Sequence, residues 1–149
     1  MANPFDDTYF MKKALHEAET AFEKGEVPIG AVVVIDDKII ARAHNLTELL
    51  NDVTAHAEMQ AITAASNFLG GKYLLNCTMY VTLEPCQMCA GALYWSQISK
   101  IVYGARDEER GCIHLKTKLH PKTLMVGGIM EEECSQLLKR FFIEKRNLN

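Results

Sequence analysis

Two short segments constrain this chain more than any other part of it: Thr54-Ala55-His56-Ala57-Glu58 and Glu84-Pro85-Cys86-Gln87-Met88-Cys89. Cys86 and Cys89 are three apart at an expected helix start, so their sulfurs share one face of the first turn. The free N–H groups and the positive dipole end at such a start favour thiolate over thiol. His56 also lies near an expected helix start. A fold that serves both segments must turn two helix N-termini toward each other, so that one imidazole and two thiolates meet at a single metal. Zinc takes nitrogen and sulfur ligands of this kind tetrahedrally.

The number of ligands decides what such a zinc could do. A structural zinc is normally closed by four protein ligands, whereas a catalytic one keeps three and leaves a position for water. The two segments supply three. Glu58 follows His56 by two residues, close enough to exchange protons with that water without binding the metal. A C-x-x-C pair alone is also found in redox motifs and structural zinc sites. Nothing before Cys86 resembles a thioredoxin pattern, and Pro85 precedes both cysteines. A closed structural site would need Cys77, Cys112, His44, His114 or His120 as a fourth ligand, and none stands at a paired zinc-ribbon spacing from Cys86. Cys77, Cys112 and Cys134 read as small buried hydrophobes, and His16 as a residue on the solvent face of the first helix.

The rest of the chain supplies a frame for these segments. Its 149 residues suit one domain over residues 1–149 with a single core. Apolar residues at 48% and charged residues at 23% exclude a disordered or low-complexity chain. Met11, Ala14, Leu15, Ala18, Ala21 and Phe22 follow helical spacing, with Asp7 or Thr8 as the cap and Gly25 and Pro28 as the stop. Ala31–Ile35, Asp36-Asp37 and Lys38–Ala43 read as a β-hairpin. A helix over Ala55–Phe68 stops at Gly70-Gly71, and a strand over Thr78–Leu83 follows. Pro85 suits the first turn of a helix running to about Trp95. Ile101–Tyr103 and Thr123–Val126 are short strands. A last helix opens on Glu131, Glu132 and Glu133 and closes on Lys145 and Arg146, matching the helix dipole at both ends. Cys134, Leu137, Leu138 and Phe141 form its apolar stripe. This order implies a layered α/β domain with a mixed sheet.

Charge and cysteine usage narrow the setting. A net charge of −3 argues against a generally basic nucleic-acid binder, though not against a local basic face. Lys116, Lys118 and Lys122 lie in the acid-free stretch from Gly111 to Thr123, and Lys139, Arg140, Lys145 and Arg146 lie near the C-terminus. The longest apolar run, Ile29–Ile35, has the length of a buried strand and not of a membrane span. The acidic start Met-Ala-Asn-Pro-Phe-Asp-Asp lacks the apolar region of a secretory signal. Five cysteines, an odd number without a repeated framework, suit reduced thiols and a cytoplasmic location.

His56-Ala57-Glu58 with Pro85-Cys86-Gln87-Met88-Cys89 is the H-x-E…P-C-x-x-C signature of the cytidine deaminase superfamily. Over nearly its full length the chain resembles the bacterial tRNA-specific adenosine deaminases. Gly25–Val32, Thr54–Glu58, Tyr80–Cys86, Met88–Ala92, Tyr103–Asp107 and Phe141-Phe142 carry that similarity. The resemblance implies a three-layer α/β/α sandwich, a homodimer, and a hydrolase that converts adenosine to inosine at wobble position 34 of a tRNA anticodon loop. By position it implies that Asn45 contacts the flipped purine and that Val27 and Pro28 line its pocket. Asp107 would contact the ribose-phosphate of a neighbouring nucleotide, and Phe142, Lys145 and Arg146 would touch the anticodon loop. Residues Cys112–Thr123 match no pattern, and Tyr94-Trp95 is similar to guanine deaminases of the same superfamily. Two other readings therefore stand beside the first: a free-nucleobase or nucleoside deaminase, and a non-catalytic zinc module for RNA or protein binding. Substrate size and the basic terminal helix separate the first of these, and a fourth protein ligand would mark the second.

Overall fold

The computed structural model describes residues 3–148. Met1, Ala2 and Asn149 lie outside the described residues, and with them the first two residues of the N-terminal stretch read above. Helix α1 (Asp7–Glu23) leads into the hairpin of β1 (Gly30–Ile35) and β2 (Lys38–His44). Then follow α2 (Ala57–Leu69), β3 (Thr78–Leu83), α3 (Gln87–Ser96), β4 (Lys100–Ala105), β5 (Leu124–Val126) and α4 (Glu131–Asn147). The strands form one sheet in the order β2-β1-β3-β4-β5. β1 is antiparallel to both its neighbours, and β3, β4 and β5 are parallel, so the sheet is mixed as expected.

Alternation along the central strands splits the core into two layers. Ala31, Val33, Met79, Val81 and Ile101 pack with Ala57, Ala61 and Ala65 of α2 and Leu93 of α3. Val32, Val34, Tyr80 and Val102 face the other way, against Phe10, Met11 and Ala14 of α1 and Cys134 of α4. The result is an α/β/α sandwich. Because β1 and β3 are buried on both faces, they read as continuous apolar runs rather than alternating ones.

Several boundaries move from their expected places for local reasons. The cap of α1 is Asp6, not Asp7 or Thr8: its extended backbone lets its carboxylate accept the Tyr9 N–H at 2.8 Å. Asp36 and Asp37 both take positive φ, the geometry of a tight hairpin turn, although neither is glycine. Helix α2 starts at Ala57 instead of Ala55, because His56 is still extended at the N-cap. Pro85 stands before α3 and not in its first turn, since Cys86 is the extended N-cap residue. Thr123 falls outside β5, and its hydroxyl donates to Ile98 O at 2.7 Å. α4 begins at Glu131 as its charge pattern predicts, burying Cys134 and Phe141 with Leu137 and Leu138 half-buried.

Gly30 opens β1 directly beneath α1. A methyl group there would run into the backbone at Ala14 O and Ala18 N, which cannot swing aside as a side chain could. Gly30→Ala is therefore expected to destabilise the protein by about 3 kcal/mol, read as a lower midpoint in urea denaturation. A native midpoint would mean that α1 can lift off the sheet at little cost.

Candidate metal centre and active-site cavity

Two helix starts meet at one end of the sheet. His56 is the N-cap of α2, Cys86 the N-cap of α3, and Cys89 lies in the first turn of α3. His56 Nδ1 is 3.7 Å from Cys86 Sγ and 3.4 Å from Cys89 Sγ, and the three ligand atoms all lie within 4.8 Å of one another. In a tetrahedral site with Zn–S near 2.3 Å and Zn–N near 2.0–2.1 Å, a nitrogen-to-sulfur edge is about 3.6 Å. The observed edges straddle that value, so the cluster has the size of a zinc site. Among the described residues the group has these three members, and Cys77, Cys112, His44, His114 and His120 are not part of it.

The three groups shift one another's ionisation. A hydrogen bond from the Cys89 thiol, helped by His56, pulls the Cys86 thiol down to about 4 against the effect of burial. The same bond and burial push Cys89 upward. His56 is raised, chiefly by its hydrogen bond with Cys86. A divalent ion held by these three groups would release the protons they carry.

Glu58 is the second residue of α2, and only 3% of its surface is exposed. Its Oε1 is the one buried side-chain oxygen or nitrogen without a hydrogen-bond partner among the described residues. Burial lifts its carboxyl to about 7, against the opposing pull of its own backbone N–H and of His56. A carboxyl that gains and loses its proton near neutrality suits general acid–base chemistry.

Glu58, His56 and Cys86 open onto a cavity of about 490 Å³, within the range of small-ligand sites. Val27, Asn45, Asp107 and Phe142 line it too. The Asn45 Nδ2 amide donates to Val27 O at 3.4 Å, and its Oδ1 accepts the Thr47 N–H at 3.3 Å. Pro28 does not line the cavity. It is buried at the apex of a tight turn closed by the Ile29 N–H on Val27 O at 2.8 Å, and its neighbours Val27 and Ile29 line the wall. Lys145 and Arg146 lie in a neighbouring groove on α4, with Lys139 and Ile143. Phe142 lines both spaces and joins them.

Sequence reasoning passed over several residues of this site. Ile29, Thr47, Leu83, Glu109 and Arg110 also line the cavity. Two buried carboxylates hold its walls. Glu26, 1% exposed, accepts the Glu48 N–H at 3.0 Å and the Leu49 N–H at 2.8 Å, fixing the turn that follows Asn45. Glu84 does the same for the segment after β4. An acid beside an apolar strand was a signal for each, because buried carboxylates are almost always partnered. Tyr94 and Trp95 lie outside the cavity, and Trp95 is 76% exposed on α3.

Comparison with known proteins places this geometry in context. Residues 5–148 match the family model of the MafB19-like deaminases. A tRNA-specific adenosine deaminase of Bacillus subtilis (strain 168) is 48% identical over 146 residues, covering 94% of this chain and 91% of the relative. A solved structure from studies of A-to-I editing by tRNA:A34 deaminases at the wobble position of transfer RNA is 43% identical, with a TM-score of 0.82. That match covers 87% of this chain and 99% of the other. Guanine deaminase from Bacillus subtilis is 40% identical with a TM-score of 0.65, but over 68% of this chain and 65% of that one.

Proposed function

The chain belongs to the tRNA-specific adenosine deaminase family, and on that footing we propose that it hydrolyses adenosine to inosine at wobble position 34 of a tRNA, releasing ammonia. One observation carries the reading: a cluster of three candidate metal ligands and the unpartnered, buried Glu58 Oε1 meet at the same cavity. His56, Cys86 and Cys89 would hold a zinc ion. Bound there, zinc supplies a Lewis acid that makes water nucleophilic at neutral pH.

The chain's own groups perform the remaining steps. Glu58 Oε1 takes one proton from the attacking water and passes it to N1 of the purine. It then takes the second from the hydroxyl now on C6 and passes it to the departing amine, so the two protons of water end on N1 and on ammonia. Val27, Ile29 and Leu83 present apolar surface to the faces of the base, and the Asn45 amide, held by Val27 and Thr47, presents its free donor and acceptor capacity to the base edge. Asp107, which lines the cavity, would contact the ribose-phosphate of a neighbouring nucleotide. From Phe142 the strand continues into the groove that carries Lys145 and Arg146, whose charges meet phosphates. A target in a single-stranded loop leaves its stack at low cost, because there is no pair to break.

This reading treats residues 1–149 as one catalytic domain and the active protein as a homodimer. The outer face of α2 and α3, where Phe68 and Trp95 are exposed, supports a second copy as the partner there. Light scattering should return twice the mass of one chain. No described helix is long and apolar enough to cross a membrane, and a tRNA substrate puts the reaction in the cytoplasm.

The deciding experiment is ammonia release from an anticodon stem-loop bearing adenosine 34, beside free guanine, cytosine and adenosine. Turnover of the stem-loop with little on the free compounds is expected. Turnover of guanine with none on the stem-loop would overturn the substrate assignment.

A further inference from the structure

We propose that Glu84 is a positioning residue for substrate binding, its buried carboxylate hanging the cavity wall of residues 106–113 from the strand end that leads into Cys86. The segment between β4 and β5 forms no helix, and β4 and β5 are nevertheless parallel neighbours. Something other than helix packing must hold it. The Glu84 side chain is fully buried. Its Oε1 accepts the Asp107 N–H at 3.2 Å and lies 3.6 Å from Arg106 Nε. Its Oε2 accepts the Ile113 N–H at 2.8 Å.

One carboxylate thus pins the segment at both ends. The middle rests on it as well: a methyl group at Gly111 would run into Glu84 Oε2 and Cδ. Between the pins stand Glu109 and Arg110, which line the cavity, and beside the first pin stands Asp107. Backbone bonds extend the same seam, with the Glu84 N–H on Ala105 O at 2.8 Å and the Cys112 N–H on Pro85 O at 2.9 Å. Asp107 in turn folds the segment, its Oδ1 accepting the Arg110 N–H at 2.9 Å. Releasing Glu84 would free the wall that faces the nucleotide and leave Glu58, His56, Cys86 and Cys89 in place.

An amide of the same size has one acceptor oxygen for two N–H groups. Glu84→Gln must drop one pin and set its own NH2 against an N–H. The inference rests on the functional reading above, and the two fail separately. With zinc-loaded Glu84→Gln on the stem-loop, KM should rise about tenfold, with kcat within about twofold of native and zinc content unchanged. Hydrogen exchange at the Asp107 and Ile113 amides should accelerate. Gly111→Ala, whose methyl group would press on the same carboxylate and on Asp107 O, should repeat the KM effect if Glu84→Gln does not fold. A native KM in both variants, or a fall in kcat that tracks lost zinc, overturns the inference. Native amide exchange in Glu84→Gln overturns it even if the stem-loop is not a substrate. Absence of stem-loop turnover by the native enzyme sinks the functional reading alone.

Discussion

Glu58→Gln should lower kcat on the adenosine 34 stem-loop by about 10²- to 10⁴-fold, with zinc content intact and thermal stability at or above native. The two halves of that expectation have one physical source. Glu58 is buried at the start of α2, with Oε1 unpartnered, so the fold keeps a carboxylate where an amide would be less costly to desolvate. Stability does not account for such a group, whereas proton transfer at the cavity does. The substitution keeps the shape of the side chain, and His56, Cys86 and Cys89 retain their places. Steady-state kinetics, metal analysis and a melting curve on one preparation give the three readings. Activity within tenfold of native would move the proton-transfer role to another group, and a drop in zinc would make Glu58 a support of the metal cluster instead.

Cys89→Ala should remove both metal and turnover and lower the melting temperature. Cys89 is fully buried in the first turn of α3, and no other cysteine or histidine of the described residues stands close enough to replace it. Two ligands are too few for tetrahedral zinc at ordinary concentrations. A metal bound only by the folded state stabilises it by mass action, about 2.7 kcal/mol at a hundredfold excess over Kd. Native protein stripped with a chelator should therefore melt close to the variant. Added zinc should restore the stripped native protein and leave Cys89→Ala unchanged. A variant with one tightly held zinc per chain would show that another residue completes the cluster.

The metal cluster and Glu58 were legible because each depends on local spacing: one residue between His56 and Glu58, two between Cys86 and Cys89. The terminal helix was legible for a similar reason, its three glutamates and its basic end marking both limits. The walls of the cavity were not. Glu26 and Glu84 bond to backbone N–H groups 22 to 29 residues away, and every sequence offers backbone N–H groups. No complementary side chain marks the partner. The tight turn at Pro28, which sets Val27 and Ile29 on the wall, was equally hidden because it is a backbone feature. Trp95, which the sequence reading likened to guanine deaminases, is exposed and lies outside the cavity.

The antiparallel setting of β1 brings the start of β1 and the ends of β2, β3 and β4 to one edge of the sheet, and the cavity is assembled from the segments there. The opposite edge, with the Asp36-Asp37 turn, is a strand length away, about 20 Å for six residues. It carries none of the cavity's residues. That turn is exposed and joins two strands whose pairing is set on either side of it, so it is the natural point at which to graft a tether or affinity handle. A protein anchored there would present its cavity outward, free to receive a folded RNA.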